Sequence, residues 1–584
     1  MEHTASSRPP FSWVYKRDGR LVPFDSAKIS QSLFAATESL GTPDAFLARE
    51  LTDGVLHFLA QAADSTIPTT GLVSEMVEKV VRELGAPKLA QAYTNHAQLR
   101  TRTKRATEEP LQPAAADSAA VAFVDHGITG RIEPQSLARR TAAACLRQYS
   151  LERVFTRDLV SAHQSGLLVL GDLQAPGELA ACVLGPFGDG KRGVLEGIQE
   201  ARGLAGSFVA IDAPEYVLAP LRPAAVPSYV RELDFGLRAA GLRAVVNLNL
   251  ATPPAWAADR AVGPLFSDQQ STLEPELLAT QAENVLDQLL ARGPRLGDKG
   301  KTSVLRVDWH LSERDFRPEA AGRLSRLARR ALERSALAFV FDRGRKGVSL
   351  GEGLDRRQGS VVMTIGLNLP QLAEQSGRRG DPATVFPKLG SLARLALTGG
   401  LQKREFLRRQ TIERPELNAG FVLERARLVV VPIGLDRTVG DLRREGMCTP
   451  GGLELARHIV GHLREVLYEE GRAAQLETCL DSVHSFCMDE EVDVQPPPME
   501  RAAGLTPWDA SATVADQLRA AGELHAGIAA GTTAIFLPDR SVHADEITSW
   551  LRLAWEKTAV NRLCFVRPRL SQRQLAVPWQ ERSP

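Results

Sequence analysis

Residues 14–29 read VYKRDGRLVPFDSAKI, and their pattern sets the architecture of the N-terminal region. Val14–Arg17 has the apolar and long side chains of a short strand. Asp18-Gly19 is a two-residue hairpin turn, because both central positions of such a turn need positive φ. Arg20–Phe24 is then the returning strand. Asp25 or Ser26 caps a helix whose apolar face is Ile29, Leu33 and Ala36. Gly41 ends that helix, and Thr42-Pro43 opens a second one carrying Phe46, Leu51, Val55 and Phe58. Thr69-Thr70 caps a third helix with Leu72, Met76, Val80 and Leu84. Gly85 ends it, and a fourth helix runs from about Ala86 through Tyr93 to Leu99. The expectation is a compact ββαααα domain over residues 12–105.

The chemistry of this domain follows from its cations. Lys16 and Arg17 stand beside the Asp18-Gly19 turn, and Lys28 lies in the first turn of the next helix. Three cations around a helix N-terminus, with its free backbone N–H groups, suit a polyphosphate. Taken alone, such a cluster is the ordinary solvated basic edge of a small domain.

Working outward, the chain of 584 residues is long enough for more than one domain. Its hydrophobic fraction of 43% supports a sizeable core, and Lys+Arg 71 against Asp+Glu 70 leaves a net charge of +1. That balance excludes bulk electrostatic capture of nucleic acid or acidic lipid. No run of apolar residues is long enough to span a bilayer. The opening MEHTASSRPP has no apolar core, so a cytoplasmic protein is expected. Six cysteines stand at 145, 182, 448, 479, 487 and 564 with no CxxC pair, which fits reduced thiols better than a disulfide framework or a four-thiolate zinc site.

Residues 106–118 (ATEEPLQPAAADS) are rich in Pro, Ala and acid and read as a linker. Beyond them, over 119–575, apolar runs alternate with amphipathic stretches. Strands are expected at Ala244–Leu250, Val304–Leu311, Leu337–Phe341, Val361–Leu369, Leu428–Ile433 and Thr533–Leu537, with helices such as Glu319–Arg334 and Gly452–Tyr468 between them. This alternation implies an α/β fold with largely buried strands.

Two resemblances add to this reading. VYKRDGRLVPFDSAKI resembles the opening of the ATP-cone family, and AQAYTNHAQLRTRTK (90–104) resembles its closing helix. The resemblance implies binding of ATP or dATP as an allosteric ligand, with Mg2+ a candidate companion of the phosphates. It assigns nucleotide contacts to Lys16, Arg17, Asp18, Gly19 and Lys28, and places Thr69 at a helix cap near the base. ATP cones accompany ribonucleotide reductases or a zinc-ribbon repressor of their genes. The repressor needs a CxxC…CxxC ribbon ahead of the cone, and residues 1–11 hold no cysteine.

The remainder resembles the anaerobic ribonucleoside-triphosphate reductase. Leu159–Cys182 is similar to that family's first barrel segment, a helix, a Gly-Asp-Leu turn and a cysteine-bearing strand. Gly351–Pro370 is similar to the segment after its central finger loop. Val431–Asp436, Leu524–Phe536 and Trp550–Ser571 follow in the family's order. The implied fold is a large α/β barrel of the ten-stranded glycyl-radical-enzyme type. The departures bear on function. Neither the radical-glycine loop nor its four-cysteine zinc site has a counterpart, and the finger-loop stretch Phe341–Ser360 holds no cysteine for the thiyl radical. Cys182 falls where the family keeps a reducing cysteine, a remnant of catalysis or a small apolar residue.

These readings lead to an adenine-nucleotide-sensing pseudoenzyme of deoxyribonucleotide metabolism, acting through self-association or a reductase partner, with no membrane and no nucleic acid. The alternative is an active reductase whose radical glycine is supplied by another chain. Two further signals are weaker. Gly185–Arg192 nearly matches a phosphate-binding P-loop, but Arg192 stands where Ser or Thr must hold Mg2+. Cys479, His484 and Cys487 have a spacing that could gather metal ligands but lack a fourth, so local packing is the simpler account.

Overall fold

The computed structural model describes residues 13–16, 21–62, 67–94, 134–184, 193–218, 225–251, 275–292, 305–334, 337–344, 348–376, 382–417, 422–481, 512–528, 531–537 and 542–566. In the N-terminal region, β1 (Trp13–Tyr15) pairs antiparallel with β2 (Leu21–Pro23), with Val14 opposite Val22. Helices α1 (Ala27–Ser39), α2 (Ala45–Ala62), α3 (Thr70–Glu83) and α4 (residues 87–94) follow. The expected ββαααα order is present. Residues 17–20, which hold Arg17, Asp18 and Gly19, lie outside the described residues, as does the 106–118 segment read as a linker.

Two details of this region differ from the sequence reading. The buried stripe of α3 is Val73, Val77, Val80 and Val81, while Leu72 and Leu84 are about half exposed. Likewise Leu59, not Phe58, faces the core in α2. In α3 the hydrophobic stripe at i, i+4, i+7 and i+8 lies about one residue, or 100°, from Leu72, Met76 and Leu84, whereas in α2 the expected Phe46, Leu51 and Val55 are buried. In α3 the leucines mislead because they are the larger apolar side chains, whereas the β-branched valines fill the interior. The start of α2 also shifts: Asp44, not Thr42-Pro43, supplies the cap, its Oδ1 accepting from Leu47 N at 2.9 Å.

The larger domain begins with α5 (Pro134–Tyr149), a short π turn, and α6 (Arg157–Gln164). Its strands are β3 (Leu168–Leu170), β4 (Leu179–Leu184), β5 (Ala205–Asp212), β6 (Arg243–Leu248), β7 (Leu305–Leu311), β8 (Leu337–Phe341), β9 (Ser349–Gly351), β10 (Leu354–Asp355), β11 (Ser360–Asn368), β12 (Arg427–Ile433), β13 (Thr478–Leu480), β14 (Thr532–Phe536) and β15 (Arg562–Val566). Between them lie α7 (Val194–Leu204), α8 (Pro214–Leu218), α9 (Ala225–Ala240), α10 (Pro275–Arg292), α11 (Ala321–Glu333), α12 (Leu369–Gln375), α13 (Pro382–Gln410), α14 (Leu435–Arg443), α15 (Pro450–Ala473), α16 (Val514–His525) and α17 (Ala544–Lys557). All six expected strands form, each within two residues of its expected ends.

Ten strands lie in one path, β13-β12-β11-β4-β5-β6-β7-β8-β15-β14, with β3 added beside β11. The set β4–β8 is parallel throughout. The other five run the opposite way, joined antiparallel at β11–β4 and β15–β8. Parallel strands of this kind are covered on both faces, which is why they read as near-continuous apolar runs. One face packs on the helices: Val209, Val246, Val307, Trp309 and Phe339 sit among Ile198, Leu233, Leu286 and Leu327. The other face encloses a separate apolar cluster. Ala181, Phe208, Val245, Val361, Val429 and Val431 from five strands surround Leu350 and Leu354 of the β9–β10 hairpin. The hairpin is therefore threaded into the space that the strands enclose.

Candidate functional site

The cone's candidate site is built by its hairpin and two helix starts. Tyr15 N donates to Pro68 O at 2.9 Å, and an isolated bridge aligns Tyr15 with Thr69. This contact sets Lys16, the next residue along, beside the N-terminus of α3. Thr69 is the cap of α3, its hydroxyl oxygen accepting from Leu72 N at 3.2 Å. At the N-terminus of α1, Asp25 Oδ1 accepts from Ala27 N at 3.0 Å, and the Ser26 side chain makes no cap bond. Lys28 stands in the first turn of α1, 70% exposed, with Asp25 at 3.6 Å. An exposed pair at that distance contributes little and leaves the ammonium free to move toward a ligand. Lys16, Lys28 and Thr69 are thus all at the surface of one small domain, near two helix N-termini whose partial positive charge favours phosphate.

A second constellation lies inside the larger domain. Arg306 of β7 donates from Nη1 to Glu352 Oε1 at 2.9 Å, and its Nε lies 3.4 Å from Asp308 Oδ1. Arg562 of β15 donates to the other Asp308 oxygen. Asp308 is fully buried, and Arg562 and Glu352 nearly so. Burial opposes the charge of Arg306, yet Asp308 and Glu352 outweigh it and raise its pKa above the ordinary arginine value. Two guanidinium groups and two carboxylates make a neutral quartet, the condition under which charges survive burial.

Glu352 stands at the tip of the hairpin, between Gly351 and Gly353. All three have positive φ, at 90°, 53° and 75°. The glycines follow from close approach. A Cβ on Gly351 would lie 2.9 Å from Arg562 Nη2 and 3.1 Å from Arg306 Nη2, and one on Gly353 would collide with Val429. Glutamate in the left-handed region carries backbone strain, held here by its arginine. The hairpin is gripped elsewhere too. Arg427 Nη1 donates to Gly353 O at 3.1 Å and its Nη2 to Asp355 Oδ2 at 2.9 Å, Gly353 N donates to Asp481 Oδ2 at 2.7 Å, and Arg356 chelates Asp212 with two 2.8 Å bonds.

The thiols are arranged differently from the expectation. Cys182 lies on β4, as read, but packs with Leu184, Val194 and Ile198 between strand and helix, while its neighbour Ala181 faces the interior. Alternation along the strand decides this: one residue's difference turns a side chain to the opposite face. Burial pushes its thiol up to about 12, the setting of a small apolar side chain, which is the second of the two readings the sequence offered for it. Cys564, which the sequence reading passed over, is the thiol that lies against the quartet among the described residues. Burial pushes it up to about 11, against the pull of Arg306 and Arg562.

Of the 479–487 group, only Cys479 is among the described residues. It is buried on β13 next to Arg427, its thiol pushed up to about 12 by burial. His484 and Cys487, and the glycine-rich 185–192 stretch, lie outside them. Among the described residues no group of three or more His, Cys, Asp or Glu could hold a metal ion, and no helix is long and apolar enough to cross a membrane.

With both sites in view, the molecule is a small N-terminal ββαααα domain on a two-set, ten-stranded α/β domain with an inserted hairpin. The family described as ATP cone domain matches residues 13–102. No curated protein matches the chain in sequence. In three dimensions the chain is similar to a solved anaerobic ribonucleotide reductase, with a TM-score of 0.59 and 12% identity over 77% of this chain and 84% of that one. It is also similar to the anaerobic ribonucleotide reductase from Thermotoga maritima. With dATP bound in the specificity site, that structure gives a TM-score of 0.58 and 13% identity, covering 77% of this chain and 87% of that one. In complex with dATP and CTP it gives 0.58 and 13%, covering 77% and 86%. At such identities the likeness is one of fold. The chain carries an ATP cone, a nucleotide-binding regulatory domain, followed by a domain with the fold of the anaerobic ribonucleotide reductases.

Proposed function

We propose that the protein is an adenine-nucleotide sensor whose reductase-type domain has lost radical catalysis. The observation that carries this reading is Glu352. At the hairpin tip, where the reductase resemblance calls for a thiol, the chain has a carboxylate locked to Arg306. Reversible hydrogen abstraction depends on the weak S–H bond, and a carboxylate offers no equivalent. The one cysteine assigned to redox work, Cys182, packs toward the helices. The cone, by contrast, keeps Lys16, Lys28 and Thr69 exposed beside two helix N-termini, and Arg17, Asp18 and Gly19 complete its motif in the sequence. ATP or dATP is the ligand this supports, with Mg2+ on the phosphates. Self-association or contact with a reductase is the output we assign to it.

The test is calorimetric titration of ATP and dATP into the full chain and into a Lys16→Ala, Lys28→Ala double variant, with particle size followed by light scattering. The reading requires binding by the natural chain and its loss in the variant. Absence of binding of either nucleotide by the natural chain, or deoxynucleotide formation in the presence of a radical-generating activase, would overturn it.

A further inference from the structure

The cone is docked on the larger domain, and the contact has a specific form. Asp53 of α2 accepts through Oδ2 from Ser391 Oγ at 2.6 Å and from Arg394 Nη1 at 2.9 Å. Both donors are on α13. Arg394 also donates from Nε to Glu470 Oε1 on α15 at 3.0 Å. The side chains of Asp53, Arg394 and Glu470 are 17%, 17% and 25% exposed, so the triad is shielded from solvent far more than an ordinary surface pair. One turn before Ser391, Lys388 Nζ lies 5.5 Å from the Phe46 ring centroid of α2. The apolar interiors also merge: Phe34, Leu51 and Val55 of the cone belong to the same cluster as Leu159, Leu389 and Leu392.

The helix that receives this contact reaches the hairpin. α13 has 29 residues, a rod of about 43 Å. At its middle, a Cβ on Gly399 would lie 2.9 Å from Ile365 of β11, and one on Gly400 3.0 Å from Leu428 of β12. The helix backbone thus rests directly on two strands. Leu428 follows Arg427, the residue that holds Gly353 O and Asp355 of the hairpin. Beyond the glycines the helix is anchored. Lys403 donates to Ala175 O at 2.8 Å and Pro176 O at 2.7 Å, and Arg404 donates to Ala474 O at 3.1 Å. A rod anchored just beyond the glycines and gripped by the cone one to two turns before them transmits displacement to the stretch between.

The grip itself has room to rearrange. Arg394 stands between a carboxylate of the cone and one of the larger domain, and Asp53 Oδ1 is buried with no hydrogen-bond partner among the described residues. A change in the tilt of α2 can therefore alter how Arg394 is shared without breaking the dock. α2 is the helix on which both α1, carrying Lys28, and α3, capped by Thr69, are packed.

We propose that α13 couples the cone to the hairpin: nucleotide bound at the cone shifts the Asp53–Arg394–Glu470 triad and, through Gly399-Gly400 and Arg427, changes the hold on the Glu352 tip. This rests on the nucleotide-sensing reading and names how that signal leaves the cone. Contiguity of contacts alone does not establish coupling; a linked change at the second site does.

The experiment is hydrogen exchange of the segment 348–358 in the full chain, with and without ATP, alongside calorimetry on the same samples. In the natural chain ATP should change the exchange rate of this segment by about fivefold or more. Asp53→Asn, which is outside the nucleotide site, should still bind ATP but reduce that change to less than about twofold. Ser391→Ala, a milder change that removes only a hydroxyl, should fall between them and decides the matter if Asp53→Asn does not fold. ATP that binds the natural chain yet leaves 348–358 unaltered overturns the coupling, as does a full response retained in both variants. Calorimetry showing no binding at all would instead remove the sensing reading itself, so the two failures are told apart.

Discussion

Arg306 and Glu352 meet at 2.9 Å in the interior of the larger domain, one from the beginning of β7 and the other from the tip of a hairpin 46 residues later. The pair joins a strand to the hairpin it encloses, and Asp308 and Arg562 complete its charge balance. Each member depends on the others, since an uncompensated charge in such a place is far more costly than the pair is stabilising.

Removal of Glu352 is therefore expected to destabilise the larger domain sharply. Glu352→Gln and Glu352→Cys should each cost about 3–5 kcal/mol, because either leaves Arg306 short of a counter-charge. The cysteine variant restores a thiol at the tip and is expected to be no more stable than the glutamine one. Thermal unfolding of the two variants and the natural chain checks this, and melting temperatures unchanged in both would contradict the neutral-quartet account.

Thiol chemistry should divide the cysteines by burial. Cys145 is exposed, whereas Cys182, Cys479 and Cys564 are buried. Burial holds these three thiols at about 12, 12 and 11, so they remain protonated at pH 8. Brief iodoacetamide treatment of the native chain followed by peptide mass spectrometry should label Cys145 and spare the other three. Rapid labelling of Cys182 would favour the catalytic-remnant reading over that of a small apolar side chain.

Glu215 should give the larger domain a specific pH dependence. It lies on α8 directly after β5, accepts from Asn249 N at 2.9 Å, and is pushed up to about 7 by burial, with Asp212 adding to the shift and backbone N–H groups opposing it. Its folded pKa is above the unfolded value of 4.5, so the protonated form favours the folded state. That contribution is complete below pH 4.5 and is lost as pH rises to 7. Glu215→Gln keeps the acceptor and removes the titration. Relative to the natural chain, the variant should gain stability between pH 5 and pH 8, by on the order of 2 kcal/mol. Denaturation at the two pH values measures it, and a difference that does not vary with pH would refute the assignment.

The cap of α3 offers a test confined to the cone. Thr69→Ala deletes the oxygen that accepts from Leu72 N and should cost the cone about 1 kcal/mol. Thr69→Ser retains the oxygen and should lie close to the natural chain. Unfolding followed by cone-specific exchange protection distinguishes the two, and equal behaviour of both variants would show that the cap is not holding the helix.

Much of the architecture was legible in the residues themselves. The period-2 and continuous apolar runs locate β6, β7, β8, β11, β12 and β14, because a strand buried on both faces has few polar positions to spare. The caps at Asp25 and Thr69 mark the order of the cone, since local backbone chemistry is written in adjacent residues. The absence of a cysteine between Phe341 and Ser360 was equally plain. Facing was harder. The α3 stripe was placed about one residue off, and the side of β4 that Cys182 faces was not written in the sequence, because a single step in register turns a side chain away and only packing against α7 settles which side is outward.

What the sequence determined on its own is the kind of each element, their order, and the presence of a cone with its basic motif. The tertiary structure alone decided which distant residues meet: Arg306 with Glu352, Asp308 with Arg562 across 254 positions, and Asp53 with Arg394 across 341. The physical reason is that secondary structure follows from interactions within a few residues. Compensation of a buried charge is non-local, and an arginine in a strand carries no mark of the carboxylate that the fold will bring to it.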